Sequence, residues 1–288
     1  MQKRSRLSTV LLILTFFAGL GLLLYPTVSD RWNRQHSTQA ITVYEQSLQD
    51  AGDDTRAQLL QEAEAYNLAL QQTGIRWSFT EEQHAQYESA LDLSGDGMFG
   101  YIEIEKIDCR LPVYHGTGEA VLLAGAGHLE GSSLPIGGEG THCMISGHRG
   151  LPSARLFTDL DQLVVGDRFV LRTMDLVLTY EVDRIRVVLP NEVDELCIYP
   201  GEDYCTLITC TPYGINSHRL LVRGRRVEND DESRVVRVTG DALQIDPLVV
   251  APIAAAPVLV AIFTIMLLTD AGRKRRRRKT EAEKQDET

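Results

Sequence analysis

Residues 206–219 read TLITCTPYGINSHR. Thr206, Leu207, Ile208 and Thr209 are β-branched or apolar and run straight into Cys210, which predicts a buried strand that delivers a thiol at its own end. Thr211, Pro212, Tyr213, Gly214, Ile215 and Asn216 then carry turn chemistry, and Arg219 opens a second β-rich run through Val222. If these strands pair as neighbours, Cys210 and Arg219 face each other across one loop mouth. A guanidinium fixed beside a thiol favours the thiolate, which is the nucleophilic form.

A nucleophilic thiol needs a proton-transfer partner. Residues 141–151, THCMISGHRGL, repeat the layout of a strand ending in a polar, glycine-flanked residue, here His148. Cysteine and histidine distant in sequence but both at strand ends make a nucleophile and acid/base pair. His142 competes for the role, yet it lies at the start of its strand. His218 stands beside Arg219 and supports it, while His36, His84, His115 and His128 show no partner in the sequence.

Strand-like runs surround these two segments, at 101–104, 111–114, 142–146, 168–172, 176–189, 204–209 and 219–227. Clusters of Gly, Pro, Asp and Asn separate them, with short helical pieces near 119–124 and 156–163. Many short strands with few helices predict a mainly β domain, a closed barrel or a sandwich. Upstream, residues 37–72 are rich in helix formers and read as one or two amphipathic helices broken near Gly52, Asp53 and Asp54. Thr80 to Gln83 look like a helix cap, followed by a short helix to about Leu91. Asp92, Ser94, Asp96, Gly97 and Glu103 fall at EF-hand spacing, but the residues that follow alternate as a strand where that motif needs a helix. The stretch therefore reads as a turn. Neither C-x-x-C nor H-E-x-x-H spacing occurs, so no metal or cofactor is expected.

The chain resembles the class C, pilus-assembling sortases. TLITC matches that family's TLxTC signature, NSHR supplies its arginine, and SGHRGLPSARLFTDLDQL resembles its histidine segment. The likeness runs from about Tyr101 to Val227 through GYIEI, LPVYHGT, GHLEGSSLP, TPYGIN and HRLLVRG. It implies a closed sortase-type β-barrel with short helices, Cys210 as nucleophile, His148 as general acid/base and Arg219 as electrostatic stabiliser. It further implies cleavage of an LPxTG-like sorting signal between Thr and Gly through a thioester. A lysine amine of the next pilin would then take the acyl group. In many pilus sortases a lid carrying an Asp-Pro-aromatic motif covers the cysteine; here the corresponding place reads Ile75, Arg76, Trp77, so Trp77 keeps the aromatic while the carboxylate and proline are missing.

The ends carry membrane signals. Residues 7–25 and 248–268 are nearly unbroken apolar runs, each able to form about 30 Å of helix, the thickness of a bilayer's hydrocarbon core. Lys3, Arg4 and Arg6 precede the first, and a basic cluster at 273–279 follows the second, which predicts both termini in the cytoplasm and the middle outside. No A-x-A site follows the first run, so it reads as a retained anchor rather than a cleaved signal. The expected organisation is a stub and span at 1–28, a helical segment with a lid-like loop at 29–98, the barrel at 99–228, a linker at 229–246, a span at 247–269 and a basic tail at 270–288.

The net charge is -11 despite that tail, so the exposed middle is acidic and nucleic acid is not an expected partner; the tail contacts lipid headgroups instead. Cys109, Cys143 and Cys205 sit in or beside apolar runs as small core residues, and Cys197 with Cys205 leaves a bridge open. Three other readings accompany the pilin polymerase: a housekeeping sortase that anchors surface proteins to peptidoglycan, a papain-like hydrolase, and a non-enzymatic membrane-tethered interaction module. The all-β pattern and the arginine stand against the hydrolase.

Overall fold

The structure, a computed structural model, describes residues 2–229. The linker, the apolar run at 248–268 and the basic tail lie outside the described residues. Helix α1, Gln2–Asp50, opens the chain and holds a stretch long and apolar enough to cross a membrane. It continues through Pro26 and past the expected boundary at residue 28. A proline's fixed φ is already helical, and its cost is one missing N–H donor and a local clash, which the surrounding turns absorb. A compact unit begins at Ser29 and takes in the second half of α1 together with every strand of the chain's sheet.

Gly52 separates α1 from α2, Asp53–Thr73, where the sequence predicts the break. The third helix, α3, spans Glu81–Ser89 and starts from a full capping box: Thr80 accepts from the Gln83 N–H while the Gln83 side chain accepts from the Thr80 N–H. Strands β1, Met98–Ile104, and β2, Cys109–His115, precede α4, Glu119–Ala124. After them come β3, Ala126–His128; β4, Thr141–Ser146; β5, Arg168–Thr173; β6, Leu176–Val188; β7, Asp203–Thr211; and β8, His218–Val227. They close into one barrel in the order β1-β2-β3-β4-β7-β8-β6-β5, with β1 pairing β5 to complete it. Closure leaves no edge strand open to stray pairing.

Alternation along each strand separates two environments. Cys205 and Leu207 on β7, Leu220 and Val222 on β8, and Cys143 and Ile145 on β4 point into the main core with Phe99, Phe157, Phe169 and Tyr180. Each fully buried aliphatic or aromatic side chain there contributes on the order of 1.5–3 kcal/mol. The opposite face carries Met144, Ile208 and Leu221, which form a second cluster roofed by Leu196 and Val193 from the β6–β7 connection and by Ile75 from the α2–α3 loop.

Two local expectations are corrected. Residues 156–163 space their apolar side chains as a helix would, yet Leu156 adopts a left-handed backbone at φ 41° and only Leu160–Gln162 forms a short 3-10 turn. Phe157 turns back under the barrel here, its ring lying 2.6 Å from where a Cβ on Gly147 would stand. The three-residue strand β3 escapes sequence reading because AGH has no alternation; it exists through pairing with β2 and β4. The EF-hand-like spacing is a turn: Asp92 accepts from the N–H groups of Gly95 and Gly97, and Asp96 from Ser94 and Met98. No group of three or more metal-binding side chains occurs among the described residues. All five cysteines are free, so Cys197 and Cys205 are not bridged; Cys205 instead sits opposite Cys143 across the β4–β7 pair.

Candidate active site

β7 and β8 pair antiparallel with Cys210 directly opposite Arg219 and Thr211 opposite His218. The two residues therefore share a face, and it is the outer one, since Ile208 and Leu221 two positions further along belong to the outer cluster. Cys210 and Arg219 are both partly exposed. The Arg219 Nη1 donates to the carbonyls of Asn216 (3.3 Å) and His218 (3.2 Å), which ties the guanidinium to the β7–β8 loop. Its Nε and Nη2 have no hydrogen-bond partner among the described residues, so donors remain for an incoming oxygen.

His148 follows β4, which lies on the other side of β7 from β8. β4 runs parallel to β7, and the paired register ends at Ser146 opposite Ile208. The chain stays attached for one further residue: the Gly147 N–H donates to the Ile208 carbonyl at 3.0 Å, and the Thr209 hydroxyl donates to the Gly147 carbonyl at 2.7 Å. Continuing that register by two residues from Ser146 and Ile208 sets His148 level with Cys210. The His148 carbonyl accepts the Phe157 N–H at 3.1 Å, and Phe157 fills the space that a side chain on Gly147 would need. The ends of β7 and β8 and the turn that leaves β4 thus bring the backbones of Cys210, Arg219 and His148 to one end of three neighbouring strands.

The loops around the rim touch one another. Gly150, at φ 78°, lies against the Tyr213 ring, 3.0 Å from where a Cβ would stand. A side chain there would meet both the ring and an unfavourable backbone. Arg149 bridges the two loops directly, donating from Nη1 to the Thr211 hydroxyl at 3.1 Å and pairing through Nη2 with Asp161. Nothing in the sequence singles out Arg149 or Asp161, because the bridge joins segments that meet only in the folded chain. Tyr213 and Ile215 project from the β7–β8 loop, 60% and 72% exposed.

The remaining histidines are structural. His142 is fully buried, its Nδ1 bonded to the Cys197 carbonyl and its Nε2 to the Thr206 hydroxyl, both at 2.7 Å. Burial lowers its pKa to about 4, so it stays neutral and pins the β6–β7 connection over the outer face. His128 is held by the Tyr87 hydroxyl and the Ser133 carbonyl, His115 by the Gly97 carbonyl, His84 by Glu130, and His36 by the Trp32 carbonyl. His218 bonds to Ser217 and lends its carbonyl to Arg219. Of the other cysteines, Cys109 is buried and its thiol is pushed up to about 12, and burial also holds the Cys205 thiol well above the ordinary range. Neither supplies a thiolate.

Trp77 lies on the α2–α3 loop and is 51% exposed. Its neighbours fasten the loop: Ile75 joins the outer cluster with Ile208, the Arg76 N–H donates to the Gly131 carbonyl at 3.1 Å, and Phe79 packs on Gly131. Through Ile75 the loop therefore reaches the outer face of the β4–β7–β8 strands, and Trp77 beside it stays half exposed.

Comparison with known proteins accords with this geometry. The sortase domain family model matches residues 102–227. Sortase C1 from Streptococcus agalactiae is similar in structure, with 48% identity and a TM-score of 0.66 over 67% of this chain and 100% of that one. Sortase C of Streptococcus pneumoniae, whose structure is described as informing catalysis and pilin substrate specificity, is 43% identical with a TM-score of 0.59, covering 66% of this chain and 97% of its own. A Sortase A from Streptococcus agalactiae serotype III is 32% identical over 117 residues, 40% of this chain and 47% of its own length. The match spans about half the length of such relatives.

Proposed function

The chain belongs to the sortase family, and from that premise we propose that it is a membrane-anchored cysteine transpeptidase that joins pilin subunits. The register pair Cys210 and Arg219 is the observation that supports the reading, and the parallel β4–β7 pair, which ends two residues before His148, is consistent with it. The Cys210 thiolate attacks the threonine carbonyl of an LPxTG-like sorting signal and forms a tetrahedral adduct. Arg219 steadies its oxyanion with the donors that the β7–β8 loop leaves free. Collapse breaks the Thr–Gly bond as His148 gives a proton to the departing glycine amine, leaving a thioester on Cys210. A neutral lysine ε-amine of the next pilin then attacks the thioester, His148 takes its proton, and an isopeptide bond forms as the C–S bond breaks and the Cys210 thiolate is released. The outer cluster of Met144, Ile208 and Leu221, covered by the β6–β7 connection, packs behind the strand ends that carry Cys210 and Arg219 and keeps water from that side of them. Partial dryness there favours the amine over water as acceptor.

Similarity to sortase C proteins supports pilin as substrate, while similarity to Sortase A proteins supports a second acceptor, a peptidoglycan cross-bridge amine, through the same thioester. The apolar part of α1 and the run at 248–268 would hold the enzyme in the membrane with its barrel on the outer face. Full-length protein in detergent, incubated with an LPxTG-type peptide and pilin subunits, is expected to give a thioester visible by mass spectrometry and a covalent pilin ladder. Cys210→Ala is expected to give neither. Equal product from that variant would remove Cys210 as nucleophile, and ligation only to cross-bridge peptides would select the anchoring reading.

A further inference from the structure

Arg149 follows His148 in sequence, and its side chain is only 9% exposed. Arginine is rarely buried without a task, because desolvating the guanidinium costs several kcal/mol unless partners surround it. Here two partners come from different segments: the hydroxyl of Thr211, the residue after Cys210, and the carboxylate of Asp161, past the turn that brings Phe157 under Gly147. The Nε is buried with no hydrogen-bond partner, so the site does not satisfy the group in full. Such a residue is held for geometry more than for stability.

We infer that Arg149 is a positioning residue that fixes the distance between His148 and Cys210, an inference that rests on the proposed transpeptidase function. The planar fork of an arginine suits this task because it engages two acceptors at a set angle, which a lysine cannot reproduce. Its neighbours leave the loop little other freedom: Gly150 donates to the Thr158 hydroxyl at 3.1 Å and lies under the Tyr213 ring. On the far side, the loop is tied to α1, where the Asn33 side chain donates to the Ser153 carbonyl at 2.7 Å and Asp30 accepts the Arg155 N–H at 2.8 Å. Of these ties, Arg149 is the one that leads directly to the cysteine strand.

Steady-state transpeptidation by the full-length chain in detergent, with an LPxTG-type peptide donor and an amine acceptor, tests this. Arg149→Met keeps the aliphatic packing and removes the fork; it is expected to lower kcat roughly 10- to 100-fold with KM nearly unchanged, the size of effect that a displacement of about 1 Å produces. Arg149→Lys is expected to recover only part of the loss. Thr211→Val is expected to lower kcat as well, and the double variant to be no worse than Arg149→Met, since both remove one link. Asp161 is half exposed, so Asp161→Asn tests the other arm in a protein that folds even if Arg149→Met does not. An unchanged kcat in either Arg149→Met or Asp161→Asn overturns the proposal, as does a double variant whose losses multiply. A wild-type protein with no transpeptidation overturns the function beneath it instead.

Discussion

In the proposed mechanism Arg219 steadies the oxyanion. It stands opposite Cys210 in register and is tied by Nη1 to the carbonyls of Asn216 and His218, so under that mechanism its remaining donors would need little reorganisation as charge develops. Arg219→Ala is expected to lower kcat by 10²- to 10³-fold, about 3 kcal/mol, and Arg219→Lys to restore little of it, because an ammonium lacks the fork. His142 represents the opposite case, an imidazole kept neutral by burial. An unfolded histidine titrates near pH ~6.5 and the folded His142 near about 4. Between these values the unfolded chain binds the proton and the folded chain does not, so stability is full above pH ~6.5 and falls as pH drops through the window, by about 2 kcal/mol from pH 7 to 5. His115, also lowered by burial, adds in the same direction. Urea midpoints at the two pH values should separate in the wild type, and a neutral substitution at His142 should reduce the separation. From the sequence His142 and His148 looked like rivals; burial distinguishes them, and burial depends on what the β6–β7 connection covers.

Among the elements, the helices beside the barrel show most clearly what local sequence can specify. The capping box at Thr80 and Gln83 and the break at Gly52 are legible because caps and breaks are short-range chemistry. The docking of α3 is not, for it depends on Tyr87, whose hydroxyl donates to the His128 carbonyl, meets the His128 ring at 3.0 Å and accepts the Gly116 N–H at 2.8 Å. Tyr87→Phe strands those buried groups and is expected to cost about 1–3 kcal/mol in chemical unfolding, with the barrel intact by circular dichroism. The α2–α3 loop depends likewise on Gly131. At φ 86°, with the Arg76 carbonyl 2.0 Å from where a Cβ would stand, Gly131→Ala cannot keep the loop in place. Limited proteolysis should then cut within residues 74–80, whereas the wild type resists there.

For the protein as a whole, the expected arrangement is two anchors with the barrel between them on the outer side of the membrane. Full-length protein is expected to resist alkaline carbonate extraction, and removal of residues 1–28 to leave it membrane-bound through the run at 248–268; release into the soluble fraction would refute the second span. Every strand but β3 could be read from the chain in approximate limits, and Cys210, His148 and Arg219 could be singled out as candidates, because hydrophobic alternation, turn residues and sequence motifs are local signals. What the chain could not disclose was the circular strand order with its parallel β4–β7 pair, the short β3, the turn in place of a helix at 156–163, and the Arg149 bridge between loops. Each arises from packing between segments many residues apart, where the free energy of covering a surface or pairing a buried charge outweighs local propensity, and only the folded chain brings those partners within reach.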